Sequence, residues 1–171
     1  MKALKNLFLK ELADMYDSEH RIIKALPKMI KAATCEKLQH ALEHHLQETE
    51  GQAAQIERVF AIFEEKPKAK KCPAMPGILD EGDRIVSENK KSPSINAAII
   101  SACQKVEHYE IASYGTLRAW AQLLGNQEAA DLLDEILDQE KDADQALNDL
   151  SIAKNRETLA EMEIGAGTSA V

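Results

Sequence analysis

The sequence predicts an all-α fold: an antiparallel four-helix bundle whose middle connection is long and carries a short extra helix. Three observations predict it. The composition is rich in Leu, Ala, Glu, Lys and Gln, all helix formers, with only 7 Gly and 5 Pro in 171 residues. Apolar residues recur at steps of three and four along four long segments. Two of the joints are only a few residues long, and short joints make antiparallel neighbours.

The first helix is expected over about residues 3–33. Its stripe is Phe8, Leu12, Met15, Glu19, Ile22, Leu26, Met29 and Ala33, and Pro27 inside it predicts a kink. A second seam at spacing seven, Leu9, Tyr16, Ile23 and Ile30, is more than one bundle needs. It calls for packing against the crossover or against a second subunit. After a tight turn near Thr34-Cys35, the second helix runs over about 36–64. Its stripe is Leu38, Leu42, His45, Glu48 or Thr49, Gln52, Ile56, Val59 and Phe63.

The segment EEKPKAKKCPAMPG, residues 64–77, breaks the pattern with three prolines and a basic cluster, best read as a solvated loop. A short helix over about 77–89 and then NKKSPS complete the crossover. The third long helix, about 94–124, carries Ile99, Cys103, Val106, Glu110, Ser113, Leu117, Trp120 and Leu124. Gly125-Asn126 is a helix stop, and the fourth helix follows over about 127–152 with Ala129, Leu133, Ile136, Glu140, Ala143, Leu147 and Leu150. The bundle is expected to occupy residues 1–155, with 156–171 as a tail ending in the patternless GAGTSAV. Two hairpins joined by one long crossover describe a bundle of the ferritin-like kind.

The chain carries a formal net charge of −8 and a pI near 5.2, which argues against nucleic acid and anionic membranes as partners. Cys35, Cys72 and Cys103 are odd in number and lack C-x-x-C pairing, which suits a reducing compartment rather than a disulfide framework. The N-terminal MKALKNLFLKELADMYD is broken by charges too often for a signal peptide, and no apolar run approaches the ~18 residues of a membrane span. A cytoplasmic protein is expected.

Each of the four stripes is interrupted by acid near its middle. Glu19 and Glu48 are centred on the Ala33–Thr34 turn, and Glu110 and Glu140 on Gly125, so each hairpin sets two acids at matched depth. Glu107 lies one turn before Glu110, and Asp144 one turn after Glu140, each on the same side as its neighbour. Burying such carboxylates ionised and unpaired costs several kcal/mol each, and no Lys or Arg occupies the matching stripe positions. A pair of bound cations would compensate, and oxygen ligands suit Fe, Mn or Mg. For one glutamate alone, a place on the solvent edge of the stripe is the simpler reading. Four helices interrupted at matched depth favour metal. Gln52 mirrors Asp144 at i+4 from its acid, either as a ligand or as a hydrogen-bond donor orienting one.

KVEHYEIASYGTL (105–117), NAAIISACQ, YDSEHRIIKALPKMIKAAT, HHLQETEGQ, KCPAMPG and LDQEKDADQALNDL resemble the YciF/YciE family of ferritin-like bacterial stress proteins, over roughly residues 3–155. The resemblance implies a rubrerythrin-related fold, a dinuclear metal centre with Fe first and Mn second, a role in stress and, with the second seam, a homodimer. With the spacing argument above, the candidate metal ligands are Glu19, Glu48, Gln52, Glu107, Glu110, Glu140 and Asp144, and the resemblance adds its support at Glu19. Glu107 and Glu110 match the Glu-x-x-Glu of rubrerythrin-like sites. The Glu-x-x-His expected on the second and fourth long helices is not met: Gly51 follows Glu48, and Ala143 follows Glu140.

The remaining polar residues have quieter readings. His45 is expected as a core histidine hydrogen-bonded to a carboxylate, ahead of a ligand; His20 should point away, and His108 should sit behind the ligands or at an interface. Tyr114, four residues past Glu110, can reach a ligand carboxylate. Cys103 reads as a small core residue. Two functions follow: a redox metal centre that oxidises Fe(II) or reduces peroxide, or a non-catalytic structural or interaction protein with a vestigial or stabilising site.

Overall fold

The computed structural model describes the backbone of residues 1–167, without side chains at 154, 155 and 157–167. It is all helical over that range: α1 (Lys2–Ala32), α2 (Glu36–Ile62), α3 (Ala74–Asn89), α4 (Ile95–Leu123) and α5 (Gln127–Gly167). The predicted boundaries hold within a few residues except at two places. α3 starts earlier, because Pro73 is its N-cap and Pro76 falls in its first turn, where a missing N–H costs nothing, and Cys72 Sγ accepts the Met75 N–H. α5 continues through Gly167 instead of stopping near 152, so the expected tail is helical as far as that residue. The rest of the tail, 168–171, lies outside the described residues.

α1 pairs with α2 and α4 with α5; α2 also packs on α5, and α1 on α4. The four long helices therefore close a ring with α1 and α5 on one diagonal and α2 and α4 on the other. α1 remains one helix through Pro27. Asn96, in the first turn of α4, accepts the N–H groups of Thr34 and Cys35 through Oδ1 at 2.9 and 3.2 Å, fixing the start of α4 beside the α1–α2 turn. The α4–α5 turn uses Gly125 at φ 77°, a left-handed conformation glycine adopts without strain. Asn126 then caps α5 by accepting the Ala129 N–H at 3.0 Å.

The crossover must run the length of the bundle, and it does so over α1. The Lys70 N–H donates to the Ala13 carbonyl, and the Cys72 N–H to Asp17 Oδ2 at 2.9 Å. Burial alone would raise the Asp17 pKa. The Arg21 guanidinium and the Cys72 amide outweigh it and hold the carboxyl below its usual range. α3 then packs on α4 and α1, closely enough at Gly82 that an added Cβ would meet Ala102 Cβ at 3.3 Å. Part of the second α1 seam is covered from within the chain: Leu9 and Tyr16 are partly buried against the core shared with α2, and Ile30 against the core that includes Met75 and Val86 of α3. The basic residues 66–71 are exposed, as a solvated loop should be. No helix among the described residues is long and apolar enough to cross a membrane.

The apolar core is two clusters, not one. The first joins Phe8, Leu12 and Met15 to Ile56, Val59, Tyr114, Leu117, Leu133 and Ile136. The second joins Ile22, Leu26 and Met29 to Leu38, Leu42, Ile99, Cys103, Val106 and Leu147. The gap between them, at residues 18–19, 45–52, 107–110 and 140–144, is the polar layer predicted from the interrupted stripes. The α4 stripe is rotated slightly from the expected one. Tyr114 and Ala121 are buried, whereas Ser113, Trp120 and Leu124 are only partly so.

Candidate metal centre

Glu19, Glu110 and Glu140 are 0% exposed and Glu107 is 1% exposed, so all four carboxylates lie inside the polar layer. One ligand atom from each of His45, Glu107, Glu110 and Glu140 falls within 4.8 Å of the others. The helix periodicity accounts for this. Glu107 and Glu110 are one turn apart on α4, Glu140 continues the Leu133–Ile136 seam of α5, and His45 continues the Leu38–Leu42 seam of α2.

No Lys or Arg forms an ion pair with these four acids among the described residues. Glu19 Oε2, Glu107 Oε2 and both oxygens of Glu110 and Glu140 have no hydrogen-bond partner. Two donors come close to these carboxylates among the described residues. The Tyr114 hydroxyl donates to Glu19 Oε1, and His45 Nε2 stands 3.4 Å from Glu107 Oε2. Burial, then the charge of Glu140, pushes the Glu19 carboxyl up to about 8 against the Tyr114 hydrogen bond. Burial likewise raises Glu107, reinforced by Glu140, and Glu110, reinforced by Glu19 and Glu140. Burial beside Glu19 and Glu110 raises the Tyr114 phenol, which keeps it a donor.

Orphaned buried oxygens of this kind fit a hard or borderline cation, and a site of mostly carboxylates with one imidazole suits Fe or Mn. The residues present therefore fit a metal, with the charge of four carboxylates matched by two divalent ions.

The other sequence candidates take different places. Gln52 is fully buried and donates from Nε2 to Gln139 Oε1 at 3.1 Å, with its own Oε1 unpartnered. Glu48 and Asp144 sit at the rim, their side chains 21% and 16% exposed. Glu48 lies 3.1 Å from His44 Nδ1, and the imidazoles of His45 and His44 hold its carboxyl below the usual range. Asp144 Oδ1 lies 3.3 Å from His108 Nε2. Glu48 is off the seam because α2 steps from His45 to Thr49 to Gln52, leaving Glu48 about 100° round the helix.

His45 lies in the core beside a carboxylate, as its sequence position leads one to expect, and it also joins the ligand cluster. It is 4% exposed, and neither ring nitrogen makes a well-aligned hydrogen bond, although the expected carboxylate is beside it. The signal was its order. The helix reads His-x-x-Glu where Glu-x-x-His was sought, which places an imidazole one turn before the acid rather than after it. His20 is exposed, as expected, with Nδ1 2.8 Å from the Tyr16 carbonyl.

A cleft of about 310 Å³ opens between α2 and α5, lined by His44, His45, Glu48, Glu107, Asp142 and Ala146 among others. It connects the rim carboxylate to the buried layer.

Comparison with known proteins gives the family. Residues 3–160 match a family described as a domain of unknown function, DUF892. Protein YciF of Escherichia coli K12 is 44% identical over 156 residues, spanning 89% of this chain and 92% of that protein. The crystal structure of the E. coli stress protein YciF superposes with a TM-score of 0.86 at 42% identity, over 91% of this chain and 99% of that one. A Rhodopseudomonas palustris protein, YcfI, provisionally described as structural, gives 0.83 at 42% identity, over 85% and 92%. A Xanthomonas campestris protein shares the fold at 24% identity, with a TM-score of 0.75 over 94% and 99%. The family match, the sequence identity and the superposed fold agree: the chain belongs to the DUF892 family and is a homologue of the stress protein YciF.

Proposed function

We propose that the chain is a ferritin-like metal-binding protein of the bacterial stress response, with a dinuclear centre of Fe, or of Mn as second choice. Glu19, His45, Glu107, Glu110 and Glu140 form its inner ligand set. The observation that carries this is the layer of four buried carboxylates without a Lys or Arg partner among the described residues. Left metal-free, such a layer destabilises the bundle; two divalent ions neutralise it.

Bound Fe or Mn would supply one-electron chemistry toward O2 or peroxide. The chain's own residues do the rest. The Tyr114 hydroxyl fixes the rotamer of Glu19. Gln139 anchors the buried Gln52 amide by accepting from its Nε2. Glu48 and Asp144 stand at the rim beside histidines and join the inner set only by turning inward. The apolar clusters above and below exclude water from the layer. Three unpaired cysteines accord with a cytoplasmic protein, and the exposed Leu7 and Leu123 with a homodimer.

A second reading is a structural or interaction protein whose metal stabilises the fold without turnover. Gly51 and Ala143 stand where catalytic-type sites carry histidines, and the R. palustris relative is provisionally described as structural. Anaerobic loading with Fe(II) followed by O2 or peroxide separates the two. Turnover that Glu140→Ala abolishes in a folded protein supports the redox centre; a metal-dependent rise in Tm without turnover supports the second reading.

A further inference from the structure

We infer that the groove between α2 and α5 is the route by which a divalent cation reaches the buried layer, with Glu48 as the capturing carboxylate at its mouth. The inference rests on the metal reading of the centre.

The groove consists of two adjoining depressions that share His44 and Glu48. The inner one, about 310 Å³, runs to His45 and Glu107. The outer one, about 430 Å³, is walled by Gln47, Gly51, Gln55 and Gln139. At the inner end two groups await a partner: both nitrogens of His45, which is 4% exposed, and Oε2 of Glu107, which is 1% exposed. Between them and solvent stands Glu48, 3.1 Å from the exposed His44 and 3.9 Å from the buried His45. Its carboxylate is placed to take an ion from water and release it inward.

Sequence explains why the groove is open here. The inner depression is walled by small residues, Ala41, Ala143 and Ala146. Gly51 leaves free space where the sought Glu-x-x-His pattern would place an imidazole. The acids on the groove wall are Glu48 and Asp142 toward solvent and Glu107 at the inner end, with no Lys or Arg among the lining residues, so the groove favours cations. The rival approach lies under α3, where a cavity of about 20 Å³ also touches His45 and Glu107. It is walled by Ile22, Met29, Ile78, Leu79 and Val106, has room for about one water, and offers an ion almost nothing in place of its hydration shell.

The test is stopped-flow uptake of Co(II) by the full-length protein, read by visible absorption, in Ala146→Trp, Asp142→Lys and Ile78→Trp. Ala146 and Asp142 are exposed, so these changes leave the core intact. Ala146→Trp should slow uptake at least about tenfold and reach the wild-type end point. Asp142→Lys should slow it in a way that salt relieves. Ile78→Trp, across the bundle, should load at the wild-type rate. Wild-type rates in both groove variants, or slowing confined to Ile78→Trp, would overturn the route while leaving the centre standing. A wild-type protein that takes up no Co(II) would overturn the centre itself, and the route with it.

Discussion

His45 Nε2 on α2 lies 3.4 Å from Glu107 Oε2 on α4, across a diagonal of the bundle. These helices are not packing neighbours, so the polar layer is where they meet. A metal bound between the two groups ties that diagonal together. His45 is also the one nitrogen donor in the cluster with Glu107, Glu110 and Glu140. His45→Ala should therefore weaken Fe(II) or Mn(II) binding by more than the ~10–100-fold typical of losing a group behind a ligand. Equilibrium metal titration checks this; unchanged affinity would return His45 to a packing role.

The acids should trade stability for binding. Glu110 is fully buried, and neither of its oxygens has a hydrogen-bond partner. In metal-free protein at pH 8, Glu110→Gln should raise stability by about 1–2 kcal/mol, because it removes a carboxyl whose ionisation burial and the neighbouring acids oppose. Denaturant melts with and without metal should show that the variant has lost most of the metal-induced gain. A variant that is less stable when metal-free, with that gain unchanged, would mean the layer is held by contacts other than metal.

The pH dependence has a defined sign. The usual carboxyl value for these residues is near 4.5; in the folded protein Glu19 rises to about 8, and Glu107 and Glu110 move in the same direction. Between those limits the metal-free native state binds more protons than the unfolded chain. The stabilisation is fully present below about 4.5 and is lost as pH rises through about 8. Below the usual range, the depressed Asp17 and Glu48 work in the opposite sense. The metal-free Tm should therefore peak near pH 5 and fall toward pH 8, and bound metal should flatten that fall. A metal-free Tm that climbs from pH 5 to 8 would show that the layer is not what sets stability.

Much of this was legible because helix periodicity is a strong signal. Stripes stepping by three and four placed all four bundle helices, and counting from the two turns paired Glu19 with Glu48 and Glu110 with Glu140 in depth; of these, Glu19, Glu110 and Glu140 are fully buried. Glu48 fell outside because a stripe wide enough to hold either Glu48 or Thr49 does not choose between them. The choice is made by packing against α1 and α5, which no single helix encodes. Tyr114 over Ser113 was decided in the same way, since only the larger side chain reaches across to Glu19. The crossover was harder still. Pro73 and Pro76 read as a loop, and only the docking of Cys72 on Asp17 and Tyr109 reveals that they start a helix.

The most direct test is elemental analysis of the protein purified without chelators, beside a Glu110→Ala/Glu140→Ala control. A dinuclear centre predicts about two Fe or Mn per chain in the wild type and close to none in the control. Wild-type protein free of transition metal, even after anaerobic loading with Fe(II), would contradict the metal centre and leave a bundle whose acids are held by shared protons alone.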